Sequence, residues 1–224
     1  CIDKLEAYKQ HSTDADLIQE ADYMLVYSAY EQGRPNAVEL LKDYLDVYPA
    51  SRHADEVNFL IGSAHFGQGE YQKAIFWFNE SNIDMLSPEQ QEAYCFRLAY
   101  SLLQIGDMEK ARGYFARIEQ IGTKYREAST YYVAYIDYAT GKYNNALVEF
   151  TRLKDLPDYK ERSLYYITQI YFIQNKYEKV ISEGKELLAS YPDSENNSEV
   201  YRIMGNAYYH LGNEDQAINM LSKY

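Results

Sequence analysis

The residues that could perform chemistry are few and scattered. Four histidines occur, at positions 11, 53, 65 and 210, and no two of them have the spacing of metal ligands. His53 precedes Asp55 and Glu56, but these acids fall where a helix is expected to begin, and carboxylates there favour the helix dipole. The chain has neither a glycine-rich phosphate loop nor a Gly-x-Ser-x-Gly turn. The sequence therefore predicts no catalytic residue, no metal site and no cofactor.

The two cysteines, Cys1 and Cys95, are far apart and lack ligand spacing. They indicate neither a disulfide framework nor a zinc site. Cys95 occupies a large-residue position of a repeat described below and is expected to be buried, as is His65. Cys1 could be read as a lipid-modified mature terminus, but the same repeat pattern favours a small residue inside a helix.

The net charge of the chain limits the classes of partner that it can bind. The formal net charge is −12, whereas binding to nucleic acid or to an anionic membrane requires a basic face. No apolar run approaches the roughly 20 residues of a membrane span. Tyrosine is unusually common, with 26 copies. We therefore expect no nucleic acid partner and no membrane insertion of this chain.

A pattern of about 36 residues recurs along the chain. "GEYQKAIFWF" at Gly69 places a small residue at Ala74 and an aromatic four positions later, and similar segments begin at Gly106, Gly141, Asn175 and Gly212. The small residue falls at positions 37, 74, 111, 146, 180 and 217, at intervals of 37, 37, 35, 34 and 37. A fixed period of this length is typical of a stacked array. The predicted repeats are 14–50, 51–86, 87–122, 123–156 and 157–192, with a partial one at 1–13 and a truncated one at 193–224.

Each repeat is expected to contain two helices. Glycine ends the first helix by adopting a left-handed conformation, and the small residue lets the second helix cross the first closely. The aromatic one turn later fills the space toward the neighbouring repeat. Ser87 with Gln90 predicts a capping box, and Asp158 with Glu161 predicts another.

These segments resemble the tetratricopeptide repeat. Most of the family's signature is present in "YRIMGNAYYHLGNEDQAINML", which begins at Tyr201, and further signature residues are present in "NFLIGSAHFGQGEYQKAIFWF", which begins at Asn58. Pro49 and Pro192 stand at the closing proline position of the repeat. Gly184 departs from it by replacing the aromatic of the fifth repeat. The resemblance covers the whole chain and implies an all-α fold, one right-handed superhelix of antiparallel helix pairs, with about thirteen helices.

The resemblance also implies that ligands lie along the first helices, on the concave side. Most of the inward positions are aromatic, which favours a non-enzymatic scaffold that binds a protein or peptide. We expect Tyr100, Tyr135, Tyr138 and Tyr165 to lie near one another, and replacement of Tyr135 by Ala to weaken binding. The predicted groove consists of Tyr23, Tyr27, Tyr30, Phe59, Ser63, Phe66, Phe96, Tyr100, Leu103, Tyr131, Tyr135, Tyr138, Tyr165, Gln169, Phe172, Arg202, Asn206 and Tyr209.

Two alternatives stay open for the function. Aromatic faces with Gln and Asn also suit glycans, and the array could be a purely structural or oligomerisation module of a larger protein. The pattern places both chain ends inside a repeat, so Ile2, Leu5, Tyr8, Ile218 and Leu221 are expected to fray or to self-associate. The "YP-x-S" and "GxY" segments are similar to repeats of the Tol–Pal-associated periplasmic coordinator and the outer-membrane-assembly lipoprotein. This similarity implies the periplasm or cell envelope of a Gram-negative bacterium, with the cytoplasm as the alternative.

Overall fold

A computed structural model describes residues 13–224, and the expectations for Cys1, Ile2, Leu5 and Tyr8 lie outside them. Within the described range the secondary structure is helical, with twelve α-helices and one 3₁₀ turn at Ile83–Met85 and no strand. The helices are α1 (Ala15–Glu31), α2 (Ala37–Val47), α3 (Ala54–Gly67), α4 (Tyr71–Asn79), α5 (Pro88–Gln104), α6 (Met108–Ile121), α7 (Arg126–Ala139), α8 (Tyr143–Leu153), α9 (Pro157–Ile173), α10 (Tyr177–Ser190), α11 (Asn197–His210) and α12 (Glu214–Leu221). The predicted all-α helical repeat is confirmed.

The described residues form two compact units, 13–125 and 126–224. Unit 1 contains α1–α6 and unit 2 contains α7–α12, and each of the six predicted repeats from residue 14 onward contains one helix pair. Within each unit consecutive helices contact one another, and first helices also contact their neighbours, as in α3–α5, α7–α9 and α9–α11. One uninterrupted right-handed superhelix stays a prediction.

The turn inside each pair is made by a left-handed residue, as the glycine pattern predicts. Gly69, Gly106 and Gly141 have φ of 74°, 87° and 77°. The fifth repeat has Asn175 in place of glycine, and Asn175 still adopts φ 57°. Asparagine tolerates this region better than other side chains do, so the substitution preserves the turn.

The small-residue and aromatic positions lie in the core. Ala74, Ala111 and Ala146 are fully buried, and so are the aromatics that follow them, Phe78, Phe115 and Phe150. In the second repeat a Cβ atom added at Gly62 would lie 2.7 Å from the Phe78 ring. Glycine is therefore needed in the first helix because the aromatic of the second helix occupies that space.

The fifth repeat reverses this arrangement. Gly184 stands where the other repeats have a large residue, and a Cβ atom there would lie 2.6 Å from the sulfur of Met204 on α11. Met204 is buried in the same cluster as Leu187 and Val200. The next first helix thus fills the space that an aromatic side chain fills elsewhere.

One of the two predicted caps is confirmed and the other is wrong. Ser87 caps α5 in a capping box with Gln90, with Pro88 at the first helical position. Helix α9 instead begins at Pro157 after Leu156, so Asp158 already lies inside its first turn and makes no cap. Proline has a fixed φ that suits the first helical position, so the helix begins at Pro157 and not after Asp158.

No helix in the described range has the length and apolar character needed to cross a bilayer.

Candidate functional site

The predicted groove residues lie on the first helices of the two units, and we name these surfaces the unit 1 face and the unit 2 face. The unit 1 face comprises the groove residues of α1, α3 and α5, and the unit 2 face comprises those of α7, α9 and α11. Phe59 and Ser63 are buried, Tyr209 is exposed, and the other predicted groove residues are partly buried. The rings therefore pack against the helices without being sealed inside them.

On the unit 2 face the aromatic rings gather around Tyr166. This ring stacks on Phe150 with centroids 4.8 Å apart and planes inclined by 10°. Tyr135, Tyr138 and Tyr165 lie 6.0, 5.0 and 5.4 Å from it. Three of the four tyrosines expected to meet thus share one neighbour, whereas Tyr100 belongs to unit 1. Tyr166 was absent from the predicted groove, because the helical pattern assigns the inward position to Tyr165.

An amide fixes one tyrosine hydroxyl on this face. The Tyr138 hydroxyl donates a hydrogen bond to Oε1 of Gln169. Burial raises the pKa of the Tyr138 and Tyr165 phenols above their ordinary value. The Tyr135 hydroxyl has no hydrogen-bond partner among residues 13–224. The face therefore presents both fixed and available hydroxyls.

The charged residue predicted for the unit 2 face is neutralised within its own helix. Arg202 donates from Nε and Nη2 to the two carboxylate oxygens of Glu199, at 2.8 and 2.6 Å. This bidentate pair holds the pKa of Glu199 below its ordinary value. The guanidinium of Arg202 is thus already hydrogen-bonded to a carboxylate in the absence of a partner.

Polar contacts across three repeats organise one end of the unit 1 face. The rings of Tyr23 and His53 stack at 3.6 Å, and His53 Nε2 lies 3.0 Å from a carboxylate oxygen of Glu20. The Tyr23 hydroxyl donates to Glu56 at 2.6 Å, and Gln90 donates to the other oxygen of Glu56 at 2.6 Å. Burial and the Glu56 carboxylate raise the pKa of Tyr23.

These contacts give Asp55 and Glu56 a role beyond favouring the helix dipole. Besides the two bonds to Glu56, the carboxylate of Asp55 accepts a hydrogen bond from the backbone N–H of Asn82 at 2.7 Å. Both acids therefore connect their helix to other segments of unit 1. The sequence distance of these partners, 27 to 34 residues, is why local patterning did not show them.

A second arginine, Arg97 on α5, lies on the unit 1 face and was not predicted. Its Nη1 donates to Oγ of Ser63. Burial raises the pKa of the Tyr30 phenol, and the positive charge of Arg97 opposes this rise. The guanidinium carbon lies 5.6 Å from the centroid of the Phe59 ring. No carboxylate of residues 13–224 forms an ion pair with Arg97. The sequence contained a usable signal, since Arg202 has an acid three residues before it and Arg97 has none at three or four residues.

Aromatic contacts extend the unit 1 face beyond Arg97. Phe66 and Tyr100 meet edge to face at 5.8 Å, and Phe96 stacks on Tyr125 at 4.5 Å. Phe96 and Tyr100 are 6.5 Å apart. The predicted groove residues of the second and third repeats are thus in contact with one another.

The remaining candidates for chemistry are structural. His65 and Cys95 are buried, as expected, and burial raises the pKa of the Cys95 thiol to about 11. His65 Nδ1 lies 2.6 Å from the carboxylate of Glu70 across the turn of the helix pair. Within the described residues no group of three His, Cys, Asp or Glu side chains is arranged to hold a metal ion.

Comparisons with known proteins agree with this architecture. Residues 19–83 and 92–120 match sequence profiles of the tetratricopeptide repeat. Among solved structures, YrrB, a tetratricopeptide-repeat protein with an unusual peptide-binding site, is similar with a TM-score of 0.65 and 11% identity, covering 83% of this chain and 91% of its own. MamA gives a TM-score of 0.63 at 16% identity, with coverages of 76% and 90%. A tetratricopeptide-repeat protein from Parabacteroides merdae gives 0.61 at 17% identity, with coverages of 92% and 78%. No curated protein sequence matches the chain.

Proposed function

Because the chain belongs to the tetratricopeptide-repeat family, we propose that it is a non-enzymatic scaffold that binds a protein or peptide segment along its first-helix faces. The family generally mediates protein interactions without catalysis, and the structurally similar YrrB is a peptide-binding member. We place the binding residues among the predicted groove residues, and Tyr166 packs against the tyrosines of the unit 2 face.

The observation that carries this proposal is that three tyrosine rings are held in place by packing and yet remain partly exposed. The rings of Tyr135, Tyr138 and Tyr165 are held by Tyr166 but remain partly exposed. A ring that is already positioned loses little conformational freedom when a partner binds, so its contact area contributes to affinity at low entropic cost. A tyrosine used only for filling would hide its hydroxyl against an internal partner, and Tyr135 does not.

The test is capture of partners from the organism of origin, followed by affinity measurement on the partner obtained. Tyr135→Ala should weaken binding by about 1–3 kcal/mol, as truncation of a central interface tyrosine does. Phe76→Ala is the matched control, because Phe76 is an aromatic residue with 56% exposure on α4, a second helix. Equal losses in both variants, or a partner that is insensitive to Tyr135, would contradict the proposed face.

A glycan array run in parallel separates this proposal from carbohydrate binding. Saturable glycan binding that Tyr135→Ala abolishes, with no captured protein, would favour the carbohydrate alternative. A protein without a ligand in either screen would favour the purely structural or oligomerisation role. The periplasmic or cell-envelope location stays a prediction, and fractionation of the source cells would test it.

A further inference from the structure

His53 lies between two carboxylates at one end of the unit 1 face. Its Nε2 atom is 3.0 Å from a carboxylate oxygen of Glu20 on α1, and its Nδ1 atom is 3.8 Å from one of Glu56 on α3. The imidazole ring stacks on Tyr23 of α1, with the two ring planes inclined by only 2°. The His53 side chain is 18% exposed. The ring is therefore packed against the first helix of unit 1 and is still reached by protons from the solvent.

Two neighbours compete for Nε2 of His53. The Nε–H of Arg52 donates to this atom at 3.2 Å, which requires a lone pair on Nε2 and therefore a neutral ring. Glu20 lies within hydrogen-bond distance of the same atom and can only accept, which requires a hydrogen on Nε2. The two requirements exclude each other. The protonated ring alone carries a hydrogen on both nitrogens, one toward Glu20 and one toward Glu56, so protonation selects the carboxylates over Arg52.

The charges around the ring favour its protonated form. Glu20 and Glu56 are 31% and 25% exposed, whereas Arg52 is 74% exposed, so water screens the opposing charge of Arg52 more strongly. The N-terminus of α3 also opposes a cation, and Glu56 in the first turn offsets this helix end. Hydrogen bonding to His53, and then to Arg52, holds the pKa of Glu20 below its ordinary value. Burial raises the pKa of Tyr23, so the phenol is neutral wherever histidine titrates.

We propose that His53 is a pH-sensitive switch, whose protonated ring binds Glu20 and fixes α1 against α3 and whose neutral ring accepts from Arg52 and weakens this contact. Neither carboxylate is held near the ring in the unfolded chain, so the folded state takes up the proton more readily. The stabilisation is therefore complete below the pH range in which histidine ordinarily titrates, and it is lost as the pH rises through about 6 to 8. The proton also adds a cation–π attraction, because the charged ring lies on the face of Tyr23.

The consequence for binding rests on the proposed function. Helix α1 carries Tyr23, Tyr27 and Tyr30, which are the residues of the first repeat on the unit 1 face. Glu56 accepts from the Tyr23 hydroxyl and from Gln90, so the same contacts reach α5. A fixed α1 keeps the three rings in place for a partner. The unit 1 face should therefore bind its partner more tightly at about pH 5.5 than at about pH 8.5.

Unit 2 contains a histidine–tyrosine stack that has no such carboxylates. The ring centroids of His210 and Tyr177 are 4.6 Å apart, and the ring planes are inclined by 7°. Among residues 13–224 no Asp or Glu side chain forms an ion pair with His210. His210 is therefore the matched control for His53.

The test measures hydrogen exchange of the backbone amides of α1 in the whole chain, by mass spectrometry between about pH 5.5 and about pH 8.5. Dividing the intrinsic exchange rate at each pH by the observed rate gives a protection factor. The protection of α1 should fall about twofold to tenfold as the pH rises, as expected for the loss of a partly exposed charge pair. The lowest pH lies above the ordinary carboxyl range, so Glu20 stays ionised throughout.

Substitutions assign the pH dependence to the contacts of His53. His53→Gln should hold α1 at its low, alkaline protection at every pH, and Glu20→Gln should remove most of the dependence while the imidazole stack is retained. Arg52→Gln removes the competing donor, so the fall in protection should move to higher pH. His210→Gln should leave the α1 profile unchanged. Circular dichroism checks the folding of each variant, and the Glu20 and Arg52 variants test the proposal without altering the ring.

Equal protection of α1 at both ends of the pH range would overturn the proposal, as would a pH dependence that survives in both His53→Gln and Glu20→Gln. A captured partner with equal affinity at both pH values would contradict control of the unit 1 face by His53. The exchange measurement needs no partner, so it is independent of the scaffold function. A pH-independent α1 beside a captured partner that depends on Tyr135 rejects the switch and retains the scaffold, and a pH-dependent α1 without any captured partner does the reverse.

Discussion

The unit 1 and unit 2 faces use the same helical positions but distribute charge differently. On the unit 2 face Glu199 accepts two hydrogen bonds from the Arg202 guanidinium, and the Gln169 amide accepts one from the Tyr138 hydroxyl. On the unit 1 face the carboxylates bind Tyr23, His53 and other neighbours, whereas Arg97 donates to Ser63 and lies over the Phe59 ring. Phe96, and not Arg97, stands at the repeat position of Arg202. The comparison teaches that a repeated backbone fixes the positions of a face, while the residue types there and their neighbours decide where its charges lie.

The largest effect is expected from the buried aromatics that support the two faces. Phe78→Ala in unit 1 and Phe150→Ala in unit 2 each remove a fully buried ring, and each should cost about 3–5 kcal/mol of unfolding free energy. Phe150→Ala should also loosen the tyrosine cluster, because Tyr166 stacks on that ring. Denaturant unfolding measures the loss, and hydrogen exchange shows in which unit protection falls. Greater loss of protection outside the mutated unit would contradict the comparison.

A smaller effect is expected where glycine meets a large side chain. A methyl group at Gly62 would press on the rigid, buried Phe78 ring, so Gly62→Ala should destabilise the protein by about 1–3 kcal/mol, in excess of any gain in helix propensity. At Gly184 the neighbour is the flexible side chain of Met204, so Gly184→Ala should be within about 1 kcal/mol of neutral. Thermal unfolding of both variants provides the measurement. A Gly184 variant less stable than the Gly62 variant would show that Met204 cannot move.

Alkaline pH should destabilise both units through their buried phenols. Burial raises the pKa of Tyr23 and of Tyr166 above the ordinary value of about 10. The unfolded chain therefore releases these protons first, so the stability that the phenols contribute is complete below about pH 10 and is lost as the pH rises through the folded-state values. Denaturant unfolding at a series of pH values, with tyrosinate absorbance, measures this. Tyr166→Phe should reduce the slope, and an unchanged slope would show that Tyr166 does not contribute.

The smallest effect on stability is expected from Glu199→Gln. The pair is partly exposed, so its loss should cost no more than about 1 kcal/mol. The substitution should, however, leave the Arg202 guanidinium without its carboxylate partner and shift the Arg202 Nε–H resonance in NMR spectra of the whole chain. An unchanged resonance would show that Glu199 does not hold Arg202 in solution.

Local rules account for much of the fold. The glycines at 69, 106 and 141 predicted left-handed turns and have them, because few other residues adopt that conformation at low cost. The spaced alanines predicted close helix crossings, and they are buried. The capping prediction at Asp158 failed because α9 begins at Pro157, two residues before the start that a cap at Asp158 would give, which shows that two local signals can compete within a single turn.

The candidate site was predicted less completely. The helical period assigned Tyr165 to the face, but Tyr166 is the ring that the other tyrosines surround. Adjacent residues on a helix point about 100° apart, and only the position of Phe150 on α8 decides how deep each one packs. The hydrogen bonds of Glu56 with Tyr23 and Gln90 were missed for a related reason, since the three residues come from three repeats.

By itself, the sequence determined the helix pairs, their turns and the residues at which the helices cross, because these depend on neighbours within about one repeat of the chain. The tertiary structure alone decided that Met204 fills the space beside Gly184 and that Tyr166 lies under the tyrosines of unit 2. It also decided that Arg97 donates a hydrogen bond to Ser63, on another first helix. Such contacts depend on how far one helix is displaced against the next, and a repeating pattern of residue types specifies that displacement only to within the size of a side chain.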